Sequence, residues 1–514
     1  MTIELSNFSQ GSWHPATGQP VTLSDPVLGT PLAVAGADAM DMGACYAWAR
    51  HRGGGALREL TYPGRAALLD QIALLLQAKR DQYLDISLQN SGTVARDSAI
   101  DVDGAQYTVS YYARLGRSLP DARHLVDGDT ISLSKDGSFS GQHILVPSQG
   151  VALLINAFNF PAWGLWEKAA PALLSGVPVV VKPATTTAWL TYRMIRDVVE
   201  AGILPAGALN IVCGRPSGLL DALEPLDLVS FTGSADTAAG LRQRPGAIAA
   251  GIRFNAETDS INSAILSPDG SDAAAELLVR EVTREMTSKS GQKCTAIRRI
   301  MVPADRFDAI ADALAAKLAQ VTVGDPRNPD VRMGSLVSLS QRHTIEAGIR
   351  QLAATCDPLF DGRSRTAIQA PAESACVAPV LFGARNPDEN SQVHQTEVFG
   401  PVATLMPYRD LAHAIRLARR GMGSLVASVY GEDPALLAQA AEQLAESHGR
   451  VHLVDPQVAK TQTGHGNVMP QSNHGGPGRA GGGQELGGLR ALDFYHRKTA
   501  LQGATGILSR FQPG

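Results

Sequence analysis

The chain has 514 residues, a net charge of −4 and 18% charged residues. This length allows two or three domains with substantial cores, and the charge provides no attraction to nucleic acid or to an anionic membrane surface. No basic segment followed by an apolar core opens the chain, so we expect no signal peptide. Five scattered cysteines, an odd number, favour reduced thiols in the cytoplasm.

Short apolar strands alternate with helical patterns from about residue 150. GVALLIN predicts a buried strand, and WGLWEKAAPALLSG predicts a helix that ends at Gly176. VPVVVKP, ALNIVCG and LDLVSFTGS predict three further strands, with a helix around AWLTYRMIRDVVEAG. This alternation indicates a parallel, doubly wound α/β sheet, which binds ligands at the carboxyl ends of its strands.

A β-hairpin pattern interrupts the α/β region. TISLSKDGSFSGQHILV alternates apolar and polar residues on both sides of Asp136-Gly137, a strong turn signal. The late stretch ALDFYHRKTALQG predicts another strand. Because exposed hairpin edges need covering, we expect these pieces to form the oligomerisation element of a homodimer.

The tail GGPGRAGGGQELGG contains the pattern G-x-G-x-x-G at Gly476, Gly478 and Gly481. A dinucleotide-binding fingerprint follows a strand and opens a helix, whereas this one follows NVMPQSNHG and runs into more glycine. We therefore expect a flexible loop and not the cofactor site. CxxC pairs and HExxH are absent from the sequence, so it predicts no metal site.

Cys294 is the best candidate for a reactive group. It lies in SKSGQKCTAI, among small and polar residues, with Gly291 before it and Lys293 beside it. A thiol is a nucleophile when it is accessible and partly ionised, and a neighbouring lysine suits that role. The other four cysteines lie in apolar or nondescript surroundings, where a lone cysteine is usually a small buried hydrophobe.

Polar residues also follow the predicted strands. Asn159 in NAFNFPAWGLWEK and Lys182 in VVVKPATTT each follow an apolar strand, where ligands bind. In VSFTGSADTA, Gly233 and Ser234 lead into a helix whose first amides can bind a phosphate. Simpler interpretations are a helix cap for Asn159 and an ordinary strand-end charge for Lys182.

Two later stretches complete the set. RFNAETDSIN places Glu257 between small residues, and TEVFGPV contains Glu397 and Phe399. Glu257 could instead be a solvated carboxylate, and the other two could be turn residues. Glu167 is assigned no role, and the histidines His465, His474 and His496 are interpreted as structural or solvated because nothing spaces them as ligands.

In this order the motifs NFP…K…PAL..G..VV.KP, FTGS, GQ.C and E.FGPV resemble the aldehyde dehydrogenase superfamily, over roughly residues 25–503. QNSGTVARDSAIDVDG, GQKCTAIRR and HGGPGRAGGGQELGGLRA resemble the branch that contains the aldehyde dehydrogenase domain of the phenylacetate-pathway ring-opening enzyme. That enzyme carries a hydratase domain after this region. This chain ends at Gly514, so we expect a stand-alone relative from benzoyl-CoA degradation.

The resemblance implies the catalytic roles. Cys294 is then the nucleophile, and the Asn159 amide stabilises the oxyanion together with the Cys294 backbone N–H. Glu257 is the general base that activates water for hydrolysis of the thioester. Lys168 matches a lysine that takes part in proton transfer near that base. CoA-acylating chemistry remains an alternative, although the retained glutamate favours water.

The resemblance also implies a nicotinamide cofactor. Lys182 would hold the adenosine ribose or its phosphate and Glu397 the nicotinamide ribose, with Phe399 near the ring. The implied cofactor residues are Ala157, Phe158, Lys182, Thr185, Gly233, Ser234, Glu397 and Phe399.

Three positions depart from the family pattern. Thr185 stands where many members have a glutamate that repels a 2′-phosphate, so NADP is favoured over NAD. Around the base Glu257 the chain has the sequence AET, where the family usually has leucine-glycine-glycine following the base. Ala238 stands where the family usually has a glycine. These last two changes concern the pose of Glu257 and the phosphate turn.

We therefore predict an α/β protein with a Rossmann-type cofactor domain, an α/β catalytic domain and a small β oligomerisation element. The predicted parts are residues 1–124 and 147–256 for the cofactor, 257–454 for catalysis, 125–146 and 489–514 for oligomerisation, and 455–488 as a glycine-rich loop. The predicted reaction is NADP-dependent oxidation of an acyl-CoA semialdehyde, 3,4-dehydroadipyl-CoA semialdehyde, in aromatic catabolism. A general aliphatic aldehyde dehydrogenase and a non-catalytic nucleotide-binding homologue are the alternatives.

Overall fold

The structure is a computed structural model and describes residues 2–512. The strands in that part of the chain are β1 Ile3–Leu5, β2 Asn7–Ser9, β3 Ser12–His14, β4 Val21–Ser24, β5 Pro31–Ala35, β6 Leu125–Ser132, β7 Phe139–Pro147, β8 Ala152–Ile155, β9 Val179–Lys182, β10 Leu209–Ile211, β11 Leu228–Thr232, β12 Arg253–Glu257, β13 Asn262–Leu266, β14 Ile297–Pro303, β15 Val323–Gly324, β16 Asp357–Asp361, β17 Ile368–Gln369, β18 Val380–Gly383, β19 Val402–Tyr408, β20 Ser424–Tyr430, β21 His448–Val454, β22 Asn473–Gly475, β23 Gln484–Leu486 and β24 His496–Ala504.

The α-helices are α1 Met42–Trp48, α2 Gly54–Glu59, α3 Tyr62–Ala78, α4 Arg80–Ser91, α5 Ala95–Ser118, α6 Trp163–Ser175, α7 Ala188–Glu200, α8 Ala235–Arg242, α9 Pro245–Ala250, α10 Asp272–Thr287, α11 Phe307–Leu318, α12 Leu339–Ala353, α13 Gln392–Gln395, α14 Leu411–Arg419, α15 Pro434–Ala445, α16 Leu492–Tyr495 and α17 Thr505–Leu508. None of the helices between residues 2 and 512 combines the length and the hydropathy that crossing a bilayer demands.

The first large sheet has the order β12-β11-β8-β9-β10-β2-β3. Strands β8 to β12 are parallel, and β2 and β3 extend one edge in antiparallel fashion. The predicted strands and the helices α6 and α7 are confirmed. Helix α6 ends as expected at Gly176, whose φ of +86° is a left-handed conformation that favours glycine.

The second large sheet has the order β16-β18-β19-β14-β13-β20-β21, parallel except for β16. Alternate residues of β13 point to opposite faces. Ala264 and Leu266 pack in the cluster that contains α10 and α11, whereas Ile265 packs in the cluster that contains α12, α14 and α15. Helices therefore cover both faces, which explains why this strand is apolar along most of its length.

The hairpin and the late strand form a separate sheet, in the order β24-β7-β6. Gly137 has a φ of +72° in the turn, and Asp136 accepts hydrogen bonds from the Ser134 hydroxyl and the Ser138 backbone. Both predicted elements are confirmed, and β24 pairs with β7 over nine residues. The predicted segment extends to Gly514, but Pro513 and Gly514 lie outside the described residues.

The glycine-rich segment, residues 476–483, is a loop, as predicted, and hydrogen bonds anchor it to the end of β12. It connects β22 and β23, which pair with each other. The Gly483 N–H donates to the Ala256 carbonyl (3.0 Å), and the Thr258 N–H donates to the Ala480 carbonyl (3.0 Å). A Cβ on Gly483 would lie 2.3 Å from the Ala256 oxygen. Glycine is therefore needed because two backbones approach closely at the end of β12.

We predict that Gly483→Ala lowers the free energy of unfolding by about 1–3 kcal/mol, because the added methyl forces the Ala256 backbone to move. The control is Gly240→Ala in α8, where a Cβ meets no atom within 4 Å. The Gly240→Ala change should raise the free energy of unfolding by up to about 1 kcal/mol, because alanine has a higher helix propensity than glycine. Urea denaturation measures both, and an unchanged midpoint for Gly483→Ala would contradict the close approach.

Candidate active site

Most of the predicted site residues meet in one cavity of about 540 Å³, here called the strand-end cavity. It lies at the carboxyl ends of β8, β9, β11 and β12. The predicted residues that line it are Ala157, Phe158, Asn159, Lys182, Gly233, Ser234, Glu257, Cys294, Glu397 and Phe399. Thr185 begins a short 3-10 turn next to the lining residue Ala184. Lys168 lies in a narrow pocket that also contains Cys294 and Glu257.

A second cavity, of about 240 Å³, is here called the aromatic cavity because Tyr107, Phe160 and Trp163 line it. Cys294 and His474 are part of its wall. Since Cys294 lines both cavities, a molecule in either one can reach the thiol.

A strained turn carries Cys294. Lys289, Ser290 and Gly291 all have left-handed φ values, of 50°, 54° and 69°. The Asp97 carboxylate accepts hydrogen bonds from the Ser288 hydroxyl (2.9 Å) and the Lys289 N–H (2.7 Å), which anchors the turn to α5. A non-glycine residue in this conformation is held by its surroundings, so the turn fixes the position of the thiol.

The predicted role of Lys293 is wrong. Its ammonium contacts both oxygens of Glu285, at 2.9 and 2.8 Å, so its charge is paired away from Cys294. Burial, and then the nearby Glu257 carboxylate, raise the pKa of the Cys294 thiol well above its ordinary value. The thiol is therefore protonated at rest, and a base must accept its proton.

Glu257 ends β12 and is 2% exposed, and His474 is the middle residue of β22, where it pairs with Glu485 of β23. His474 Nε2 lies 2.9 Å from a Glu257 oxygen. Burial alone would raise the pKa of Glu257, but His474, followed by Lys168, lowers it to about 2. Glu257 is thus a buried carboxylate that stays ionised, and it lies close to the thiol. The interpretation of His474 as structural or solvated missed this contact.

Lys168 is the buried cation of the site. Its ammonium contacts Glu167 and lies 2.8 Å from Glu485 on β23. Burial would lower the pKa of Lys168, but Glu167, Glu485 and Glu257 together raise it. Burial raises the pKa of Glu167 well above its ordinary value in spite of Lys168. The site therefore combines one carboxylate that is ionised with another that tends to hold a proton.

Asn159 does not cap α6. The N-cap is Ala162, and the Asp101 carboxylate accepts the Trp163 N–H at 2.7 Å. Asn159 is buried and lines the strand-end cavity and the narrow pocket, both together with Cys294. Its amide is thus available to an oxygen on a molecule bound at the thiol.

Glu397 and the aromatic pair lie on the other side of the strand-end cavity. Burial raises the pKa of Glu397 to about 7, although Arg298 acts in the opposite direction. One Glu397 oxygen accepts the Ser260 N–H (3.1 Å), and the other has no hydrogen bond among the described residues. The rings of Phe158 and Phe399 meet edge to face, with centroids 5.8 Å apart.

The far end of the strand-end cavity fits a phosphate-bearing cofactor. Burial, and then the charge of the exposed Arg215 guanidinium, lower the pKa of Lys182, which ends β9 and lines the cavity. Ser234 caps α8, and a Cβ on Gly233 would lie 2.5 Å from the Phe231 ring. Asp259 accepts the first helical N–H, from Ala235, at 3.1 Å. Cations and helix amides are the groups that bind phosphate.

Sequence reasoning missed four residues that contribute to the site. His474, Arg479 and Glu485 all lie within the branch motif HGGPGRAGGGQELGG, and Arg479 lines the strand-end cavity. The motif could have indicated these residues, because charged side chains in an otherwise glycine-rich stretch are candidates for a specific contact. Arg215 had no comparable signal, since only the pairing of β10 with β9 brings it near Lys182.

Residues 13–500 match the family described as the aldehyde dehydrogenase family. The 3,4-dehydroadipyl-CoA semialdehyde dehydrogenase of Aromatoleum evansii is 52% identical over 479 residues, which cover 92% of this chain and 93% of that protein. Protein MaoC of Klebsiella aerogenes is 43% identical over 178 residues, which cover 34% of this chain and 52% of that protein.

Solved structures share the fold. Betaine aldehyde dehydrogenase from Staphylococcus aureus, in complex with NAD+, superposes with a TM-score of 0.85 at 23% identity and covers 98% of both chains. Aldehyde dehydrogenase C from Pseudomonas syringae, in complex with NAD+ and octanal, has a TM-score of 0.82, covering 96% of both chains at 23% identity. With a site built around Cys294 and a family match along almost its full length, the chain belongs to the aldehyde dehydrogenase family.

Proposed function

We propose that this protein oxidises 3,4-dehydroadipyl-CoA semialdehyde, an acyl-CoA semialdehyde, to the carboxylic acid with NADP+ in aromatic catabolism. The observation that carries the chemistry is the convergence of Cys294, Asn159 and the ionised Glu257 on one pocket. The substrate rests on the name of the relative that is 52% identical. The cytoplasm is the proposed compartment, because it keeps the five cysteines reduced.

The first step is addition of the Cys294 sulfur to the aldehyde carbon. The thiol proton passes to Glu257, whose carboxylate oxygen lies within 4.8 Å of the sulfur. The carbonyl oxygen becomes an oxyanion, which the Asn159 amide and the Cys294 N–H stabilise with hydrogen bonds. The product of this step is a thiohemiacetal on Cys294.

The bound nicotinamide cofactor supplies the acceptor for the hydride that leaves the aldehyde carbon. Lys182 would hold its adenosine ribose or phosphate, with the charge of Arg215 nearby, and Gly233 and Ser234 would hold its pyrophosphate at the start of α8. The Glu397 oxygen that has no hydrogen bond among the described residues would accept hydrogen bonds from ribose hydroxyls of that cofactor.

The second half of the reaction hydrolyses the thioester on Cys294. Glu257 takes a proton from water, the water oxygen bonds to the thioester carbon, and the carbon–sulfur bond breaks to release the acid and the thiolate. His474 and Lys168 keep Glu257 ionised in its buried position, so it enters this step unprotonated, although the same contacts lower its strength as a base. An ionised base beside the thiol favours water over a second thiol as the attacking group.

NADP is the proposed cofactor because the charges around the adenosine end are positive. Thr185 is neutral where an acidic side chain would repel a 2′-phosphate, and it directly follows the cavity residue Ala184. Arg215 and Lys182 repel one another, and a phosphate bound near both would relieve that repulsion.

We predict that Cys294→Ala lowers hydride transfer by at least about 10³-fold, because no nucleophile remains. Glu257→Gln should permit one burst of reduced cofactor and then turn over about 10²–10⁴-fold more slowly. The burst should survive but be slower than in the wild type, because Glu257 also accepts the thiol proton in the first step and burial, the larger cause of the raised thiol pKa, remains. Stopped-flow measurement of reduced cofactor separates the steps, and normal turnover of Glu257→Gln would exclude it as the base.

We predict that initial rates are highest with NADP and a CoA-linked semialdehyde, compared with NAD and a free aliphatic aldehyde of similar length. Thr185→Glu should lower the ratio of kcat/KM for NADP over NAD by about tenfold through charge repulsion. Thr186→Glu is the matched control, because the Thr186 side chain is exposed, whereas Thr185 is half-buried and directly follows the cavity residue Ala184. Preference for NAD and the free aldehyde would refute the substrate and cofactor assignments together.

We also propose that the protein is a homodimer formed through the sheet β24-β7-β6. Exposed apolar side chains on this sheet, Ile131 and Phe139, leave water if a second copy covers it. Light scattering should give twice the chain mass of 54.1 kDa. A mass of one chain at micromolar concentration would contradict this arrangement.

A further inference from the structure

Three side chains of different chemistry converge at the meeting point of the two cavities. The Cys294 sulfur, a Glu257 carboxylate oxygen and a His474 ring nitrogen all lie within 4.8 Å of one another. They come from three separate parts of the chain, namely the turn after α10, the end of β12 and strand β22. The backbone of each part is held by hydrogen bonds, so the cluster is largely formed in advance.

Thiolate, imidazole and carboxylate are the ligands that Zn²⁺ prefers in proteins. At typical zinc bond lengths, tetrahedral ligand atoms lie roughly 3.3–3.6 Å apart. A Glu257 oxygen and His474 Nε2 are already 2.9 Å apart, and the separations from the Cys294 sulfur, all within 4.8 Å, differ from that range by about 1 Å. Three protein ligands with a fourth position open to water is the usual composition of an accessible zinc site.

Two of these side chains have unused donor capacity toward a cation. Glu257 and His474 are 2% and 3% exposed, and neither Glu257 Oε1 nor His474 Nε2 has a hydrogen-bond partner among residues 2–512. His474 Nε2 lies 2.9 Å from Glu257 Oε2, and a metal ion would replace this contact with bonds to both side chains. Glu257 Oε1 is a buried polar atom without a hydrogen-bond partner among the described residues, which is costly, and a metal ion would satisfy it.

We propose that Cys294, Glu257 and His474 form an inhibitory Zn²⁺ site. Coordination of the thiol releases its proton to solvent, and no electrons are transferred. With a thiolate, a carboxylate and a neutral imidazole, the zinc site has no net charge, which suits a buried position. The fourth ligand is a water in the aromatic cavity, through which the metal enters.

Zinc in this position occupies both the nucleophile and the base of the proposed reaction. Bound metal therefore stops turnover and protects the thiol from oxidation. Removal of the metal restores turnover. The inference goes beyond aldehyde oxidation, because metal binding is measured without substrate or cofactor. It holds even if the proposed substrate is wrong.

The test is titration of the purified full-length chain with Co²⁺, after treatment with a chelator. A thiolate-bound Co²⁺ ion gives a charge-transfer absorption in the near ultraviolet, and we expect this band to saturate at one metal per chain. Zn²⁺ should abolish the band by displacement, raise the Tm and inhibit turnover, with activity restored by EDTA. Failure to observe the band at any Co²⁺ concentration would overturn the proposal.

Substitutions identify the ligands. Cys294→Ser should abolish the band, whereas His474→Gln and Glu257→Gln should retain it with at least tenfold weaker Co²⁺ affinity. Cys356→Ser is the control, because this buried cysteine lies between α12 and β16 and lines neither cavity. Circular dichroism checks that each variant is folded. Equal Co²⁺ affinity in wild type, His474→Gln and Glu257→Gln would show that the thiol alone binds metal, and the three-ligand site would be refuted.

Discussion

The backbone contact between the glycine-rich segment and β12 is the constraint on which the site depends. Hydrogen bonds from Gly483 to Ala256 and from Thr258 to Ala480 place the hairpin β22-β23 directly against the end of that strand. The hairpin then presents His474 and Glu485 to Glu257 and Lys168, from more than 200 residues away in the chain. Only glycine permits this approach, because a side chain would occupy the space of the opposing carbonyl.

Burial of charge is the second determinant of the site. Lys168 is the cation around which Glu167, Glu257 and Glu485 are arranged, and an unpaired buried charge would cost several kcal/mol. His474 adds a further contact to Glu257 alone. The two effects give the carboxylates different pKa values, since the pKa of Glu257 falls while that of Glu167 rises. Glu257 can consequently accept a proton in a place where an isolated carboxylate would be neutral.

The position of Cys294 follows from the strain before it. Three consecutive left-handed residues are unfavourable alone, and Asp97 and the surrounding buried groups hold them in place. The Asn262 amide also donates to the Cys294 carbonyl at 2.7 Å, which ties the turn to β13. The thiol therefore stands between a cavity with cations suited to phosphate and a cavity with aromatic walls.

The sequence by itself determined the alternation of strands and helices, the hairpin at Asp136-Gly137 and the cysteine, asparagine and glutamate that meet in the site. The strands, helices and hairpin follow from local periodicity and turn residues, whereas the roles of the cysteine, asparagine and glutamate are what the family resemblance implies. Only the tertiary structure decided the pairing of Lys293 with Glu285 and the placement of His474, Glu485 and Arg215. Their roles come from contacts between distant segments, and a glycine-rich stretch looks flexible in sequence until the backbone against which it packs is known.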